Sequence, residues 1–271
     1  MATLLMAFKP QVTHGNPCLG RPVLARPFLS MSRWVQSSQE QGTCLMPTIS
    51  FASSKGGAGK TTSCIVLGTE LAAQGTQVVI IDADPAQRLV RWSQLAPLPQ
   101  GIEVIASAGE RHIQDEIAVA RGRAPFVLID LEGTASRLTS FAISESDLVI
   151  IPAGEEQQDA DAAVDTLAEV AMEGRARRRD IPAAILFART SAAVKSKLER
   201  HIQTELKAAA PVFATQLHRR TAFSSLHNAG AGLRDLNPAD VNGIDKAVEN
   251  AQRFASEVID MLEEAMNAQV A

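Results

Sequence analysis

Thr48-Ile-Ser-Phe-Ala52, continued by Ser53, Ser54, Lys55, Gly56, Gly57, Ala58, Gly59, Lys60, Thr61 and Thr62, decides how this chain is read. A short apolar, β-branched run gives way to a glycine-rich turn, and the turn opens into the helix-forming stretch Cys64 to Ala73. Glycines let successive backbone N–H groups aim at one point, and the start of the helix adds a partial positive charge there. An anion site follows from that geometry. In a strand, loop, helix context, Lys60 would set its ammonium against β- and γ-phosphates, and the Thr61 hydroxyl would complete the coordination of Mg²⁺. Thr62 would support the α-phosphate. The generic phosphate-loop pattern wants Gly at position 54 and finds Ser.

Outward from the loop, short apolar strands alternate with longer helical patterns, the pattern of a parallel sheet covered on both faces. Strands are expected at Thr48 to Ala52, Gln77 to Asp82, Glu103 to Ser107, Phe126 to Asp130, Leu148 to Pro152, Ala183 to Ala188 and Val212 to Ala214. The fold class is therefore α/β: a three-layer, doubly wound, mainly parallel sheet with helices on both faces, in one domain over 46–271. Helices are expected at Ala162 to Met172 and at Asp245 to Asn267, the latter with Val248, Phe254, Val258 and Leu262 turned to the body.

Two strand ends carry carboxylates, and the carboxyl ends of parallel strands face one crevice. Asp82-Ala-Asp84-Pro, with Gln87 after it, ends the second run. An Asp-Pro pair after a strand also caps the next helix, so a turn is an equal reading of these residues alone. Phe126 to Asp130 is four apolar residues ending in an acid, followed by Leu131, Glu132 and Gly133. It reads as a Walker-B strand with its switch turn, Asp130 holding Mg²⁺ through water; Glu132 is a second base candidate or a solvated loop acid.

Lys55, Gly56, Gly57, Gly59, Lys60 and Thr61 together resemble the signature-lysine phosphate loop of the ParA, MinD and nitrogenase iron-protein superfamily. That resemblance implies ATP and Mg²⁺ as cofactors, with Lys55 through Thr62, Ala58 included, cradling the nucleotide. It also implies a homodimer formed on ATP, Lys55 reaching the partner's phosphates and acting in catalysis with Lys60. Asp82-Ala-Asp84-Pro with Gln87 resembles the family's second motif with one residue inserted before the glutamine. The carry-over makes Asp84 the group that orients the attacking water and Asp82 a neighbour in the metal shell, so the metal set is Thr61, Asp82 and Asp130. Arg189, after the strand Ala183 to Ala188, stands where relatives place residues near adenine.

Further likenesses are to ParA-like partition ATPases and to the virulence-C ATPases of Ti plasmids. The latter rests on Asp159 and Asp161 at the head of a helix, a place the helix dipole also favours for acids. Pro211 to Phe213, Arg219, Arg220 and Phe223, then Gly230 and Gly232, resemble the ParA segment that carries arginines to DNA. Arg219, Arg220, Lys195, Lys197, Arg200 and Arg234 are candidate phosphate contacts, with Arg175, Arg177, Arg178 and Arg179 beside them; such contacts bind without reading sequence. A solvated charged face is the plain alternative. The resemblance implies a slow ATPase switch for plasmid, chromosome or cargo positioning. Its ATP dimer coats DNA non-specifically and is reset by a ParB-like or other adaptor, in the cytoplasm at the nucleoid. A conjugation accessory ATPase recruiting DNA-processing proteins would use the same chemistry. A P-loop small-molecule kinase shares the fold but lacks the signature lysine.

Composition narrows this further. The net charge of −4 across 271 residues gives no global basic field. Residues 1–45 hold Lys9, Arg21, Arg26 and Arg33 against Glu40 and lack periodicity. They read as a disordered or non-native extension ahead of Met46, or as an organellar transit peptide. Cys18, Cys44 and Cys64 lack the spacing of a metal site. A metal-cluster carrier would need paired cysteines downstream of Cys64, and none exist there. No run is long and apolar enough for a membrane span, and an acidic last helix is a poor membrane anchor.

Overall fold

Every pairing in the sheet is parallel. In this computed structural model, which describes residues 46–191 and 195–270, the strands are β1 (Thr48–Phe51), β2 (Val78–Ala83), β3 (Ile102–Ala106), β4 (Phe126–Leu131), β5 (Leu148–Ala153), β6 (Ala183–Thr190) and β7 (Leu217–His218). They lie in the order β3-β2-β4-β1-β5-β6-β7. Between them run α1 (Lys60–Ala73), α2 (Arg88–Ser93), α3 (Ile113–Arg121), α4 (Arg137–Ser144), α5 (Gln157–Arg177), α6 (Lys197–Ala209) and α7 (Thr221–Ala229). A 3₁₀ turn, Leu233–Asp235, precedes the last helix, α8 (Ile244–Val270).

Alternation along the strands divides the interior into two cores. Ile49 and Phe51 of β1, with Phe126 and Leu128 of β4, pack against α1, α2, α7 and α8. Val127 and Ile129 of β4, with Val149 and Ile151 of β5, pack against α3, α4, α5 and α6. Burying each such side chain is worth about 1.5–3 kcal/mol against leaving it in water, so the central strands need cover on both faces. α1 approaches very closely at Gly68, where a Cβ would sit 3.0 Å from Ile80 and 3.2 Å from Leu128. Phe254, Val258 and Leu262 of α8 are buried and Val248 packs beside them, as the periodicity predicts.

Topology opens the crevice. The chain leaves β1 toward β2, past β4, but leaves β4 toward β5, past β1. Connections from these neighbouring strands therefore diverge, and the gap beyond their carboxyl ends is where ligands bind in open α/β sheets. Register places Phe51 opposite Asp130 and Asp130 opposite Asp82, so the loop and both acids start from one level.

Several boundaries differ from the sequence reading. Val212 makes only an isolated bridge to Ile185, and the seventh strand is Leu217–His218, too short to show a period. α1 starts at Lys60 because Gly59 turns the chain directly into it, and α5 extends from Gln157 to Arg177. β6 continues past Ala188, so Arg189 is a strand residue. The reading of residues 1–45 lies outside the described residues.

Candidate functional site

Between β1 and α1 the chain folds around a buried ammonium. Gly57 and Gly59 take φ of 76° and 106°, left-handed values that a side chain strains to adopt. No side chain caps α1 at Gly59, which leaves its first turn open to an anion. Lys60, 7% exposed, donates to Ser53 O at 3.3 Å and Lys55 O at 3.4 Å. Burial pushes its pKa below the usual lysine range, opposed chiefly by Asp130. Ser54 is explained by its partners: its N–H donates to Thr166 Oγ1 at 3.1 Å and its hydroxyl to Ala162 O at 3.2 Å, fastening the loop to α5. Glycine at this position would lose the second bond.

Thr61 Oγ1 donates to Asp130 Oδ2 at 2.7 Å. Asp130 is fully buried, and its Oδ1 has no hydrogen-bond partner. Burial is the main reason its pKa rises to about 7, with the Thr61 bond pulling the other way. An orphaned buried carboxylate oxygen beside a threonine hydroxyl is an all-oxygen donor set of the kind Mg²⁺ takes. The residues fit that ion.

Asp82 spends its carboxylate on backbone N–H groups. Its Oδ2 accepts from Leu89 N at 2.8 Å and Val90 N at 2.9 Å, and its Oδ1 from Asp84 N at 3.3 Å, so it anchors the start of α2. Asp84 Oδ1 accepts from Ala86 N at 2.8 Å while Oδ2 pairs with Arg88 at 3.2 Å. Gln87 turns the chain into α2 with a φ of 46°. Gly133, in the turn after β4, faces the loop so closely that a Cβ would lie 3.1 Å from the Gly56 backbone. Glu132 there is half-buried.

Lys55 sends its ammonium to α5. Its Nζ lies 2.7 Å from Asp159 Oδ1 and 3.6 Å from Glu156 Oε2, at the start of α5. The Asp159 bond raises its pKa. Gly154 makes room for this carboxylate, which a Cβ there would meet at 2.3 Å. Arg189, with φ of 58°, donates through Nη1 to Gly57 O and so lies over the loop. Sequence reasoning passed over one more neighbour: His227 Nε2 is 2.8 Å from Thr62 Oγ1. Nothing local signals a partner in α7 for a threonine in α1.

Residues 46–270 match the family described as VirC1 protein. The chain belongs to the VirC1 family. It is 37% identical over 226 residues to Protein ParA of Rhizobium radiobacter, covering 82% of this chain and all of that one. It is 29% identical over 220 residues to Protein virC1 of the same organism, covering 79% of this chain and 94% of that one. Among solved structures, the septum site-determining protein MinD of Pyrococcus horikoshii OT3, complexed with Mg-ADP, superposes with a TM-score of 0.60. That match has 16% identity over 78% of this chain and 95% of that one, a likeness of fold. The VirC1-family chain is thus a P-loop ATPase family member with the ParA/MinD architecture.

The basic residues fall into two groups. Arg219, Arg220, Lys195, Lys197 and Arg200 follow the carboxyl ends of β6 and β7, on the loop side of the sheet. Arg219, Lys197 and Arg200 are exposed, Arg220 is the N-cap of α7, and Lys195 is drawn to Glu155 at 3.2 Å and Gln216 at 2.8 Å. In the second group, Arg177, Arg179 and Arg234 are tied to the body. Arg234 pairs with Glu70, whose carboxylate is buried, and Arg177 bonds Ser144 Oγ at 2.9 Å. Arg179 donates to Ser144 O at 3.0 Å and Ser146 O at 2.6 Å. Arg175 and Arg178 share that end of α5, remote from the loop. Among the described residues no helix is long and apolar enough to cross a membrane.

Proposed function

We infer that this VirC1-family chain is an ATP-driven positioning switch acting on DNA in the cytoplasm. The observation that carries this is the division of labour between two lysines five residues apart. Lys60 is buried inside the loop, while Lys55 is turned out to the rim and held by Asp159. A cation that does not serve its own loop is placed to serve a partner's, which supports a nucleotide-sandwiched homodimer. When bound, Mg²⁺ neutralises phosphate charge, and Thr61 and Asp130 are the residues that would hold it. Lys60 and the loop N–H groups of Gly56 to Thr62 bind the phosphates. Asp84 orients water, and Arg88 holds its carboxylate in place. Asp82 supports this arrangement by fixing α2.

Arg219, Arg220, Lys197 and Arg200 form the DNA-binding edge, and an adaptor protein of ParB type resets the switch by stimulating hydrolysis. Retention of the full chain on duplex DNA, with ADP, ATP or a non-hydrolysable analogue, tests this reading. Retention only with triphosphate is expected; retention that ignores the nucleotide would contradict it. A second cargo for the same switch, DNA-processing proteins recruited to a transfer site, rests on the virulence-C likeness of Asp159 and Asp161.

A further inference from the structure

Thr62 and His227 are separated by 165 residues, yet their Oγ1 and Nε2 atoms lie 2.8 Å apart in the first turn of α1. His227 is half-buried in the last turn of α7. Packing holds it there: Ala222, Phe223 and Leu226 of α7 lie in the core shared with α1 and α8. At the end of α7, Gly230 with φ of 61° is so close to α2 that a Cβ would meet Leu95 at 2.6 Å and Trp92 O at 2.9 Å. The imidazole is thus delivered to Thr62 by a fixed helix. Burial, with Arg88 nearby, lowers its pKa, so near neutral pH the ring is uncharged and carries one N–H.

We propose that His227 is a positioning residue for the nucleotide: its Nε2–H donates to Thr62 Oγ1, which directs the hydroxyl proton of Thr62 into the loop, toward the α-phosphate. This rests on the nucleotide reading above. A hydroxyl has one proton to give and two lone pairs. If Thr62 accepts from His227, its proton remains for a phosphate oxygen, and that bond gains from the phosphate charge. The opposite arrangement, Thr62 donating to the ring, leaves the loop a hydroxyl with nothing to donate. Because ADP and ATP share the α-phosphate, His227 acts on both alike, unlike groups facing the terminal phosphate.

The test is titration calorimetry of the full chain with Mg-ADP and a non-hydrolysable ATP analogue, comparing wild type, His227→Ala, His227→Gln and Lys60→Ala. His227→Ala is expected to weaken both nucleotides by a common factor of about three to ten, the effect of one hydrogen bond. His227→Gln, whose amide nitrogen reaches close to the Nε2 position, should restore most of that loss. Binding by His227→Ala that equals or exceeds the wild type overturns the inference. So does a His227→Gln no better than Ala, which would assign the loss to packing of α7. Undiminished binding by Lys60→Ala would instead remove the phosphate-site reading itself, and with it the role of His227.

Discussion

The inside of the phosphate loop and its rim are built on different principles. Inside, Lys60, Thr61 and Asp130 are buried and satisfied largely by one another and by loop carbonyls. At the rim, Lys55, Asp84 and Arg189 are held by Asp159, Arg88 and the Gly57 carbonyl, in charged or exposed contacts. Buried, mutually bonded groups are costly to disturb, whereas part-exposed ion pairs are worth about 0–1 kcal/mol and exchange readily. The loop thus has a fixed floor, and an edge whose partners can be traded for nucleotide, water or a second chain.

Breaking the floor should give the largest effect. Lys60→Ala should weaken ATP binding by about a hundredfold or more, the loss of a charge-assisted phosphate contact in a buried site; titration checks it, and near-normal affinity would dissolve the contrast. At the rim, Asp84→Ala should separate binding from chemistry. Turnover should fall by about a hundredfold while affinity stays within about threefold, as read by phosphate release against titration. Normal hydrolysis would return the water-positioning role to another group, Glu132 being the nearest candidate.

Charge reversal of Arg219 and Arg220 together should reduce DNA retention by about tenfold at moderate salt while leaving nucleotide affinity in place. Unchanged retention would remove that edge. Asp130 gives a sign that can be checked. Its native pKa of about 7 stands above that of an unfolded carboxyl, so between about pH 4 and 7 the nucleotide-free native state holds a proton the unfolded chain has released. Its contribution to stability therefore declines as pH rises through that window and is flat above it. Asp130→Asn should remove this slope from melting temperature against pH. The smallest effect belongs to Asp159→Asn, which frees Lys55 from a part-exposed pair and should shift ATP-dependent dimerisation by less than about fivefold.

The floor was legible in sequence together with its partners, whereas of the rim only the residues Lys55, Asp84 and Arg189 were legible and their partners were not, for a physical reason. Lys60, Thr61 and the glycines are consecutive, and Asp130 announces itself as an acid closing an apolar strand. The sheet was legible for the same reason, since six of its strands show an apolar run bounded by breakers. Rim partners are set by topology: Asp159 reaches Lys55 from α5, Thr166 reaches Ser54, and His227 reaches Thr62 from α7. No local pattern encodes those meetings. Arg177, Arg179 and Arg234 show the converse: in sequence they read as a solvated or DNA-facing charge, and the fold ties them to a hydroxyl, to carbonyls and to an acid of the body. The two-residue β7 was missed because a strand of that length has no period to read.

The direct test of the rim lysine's role is the solution mass by light scattering of the full chain with ADP and with ATP, for wild type and Lys55→Ala. A dimer of wild type with ATP alone, and a Lys55→Ala that stays monomeric, is the predicted result. A wild type that remains monomeric with ATP, or a Lys55→Ala that dimerises as readily, would contradict the account.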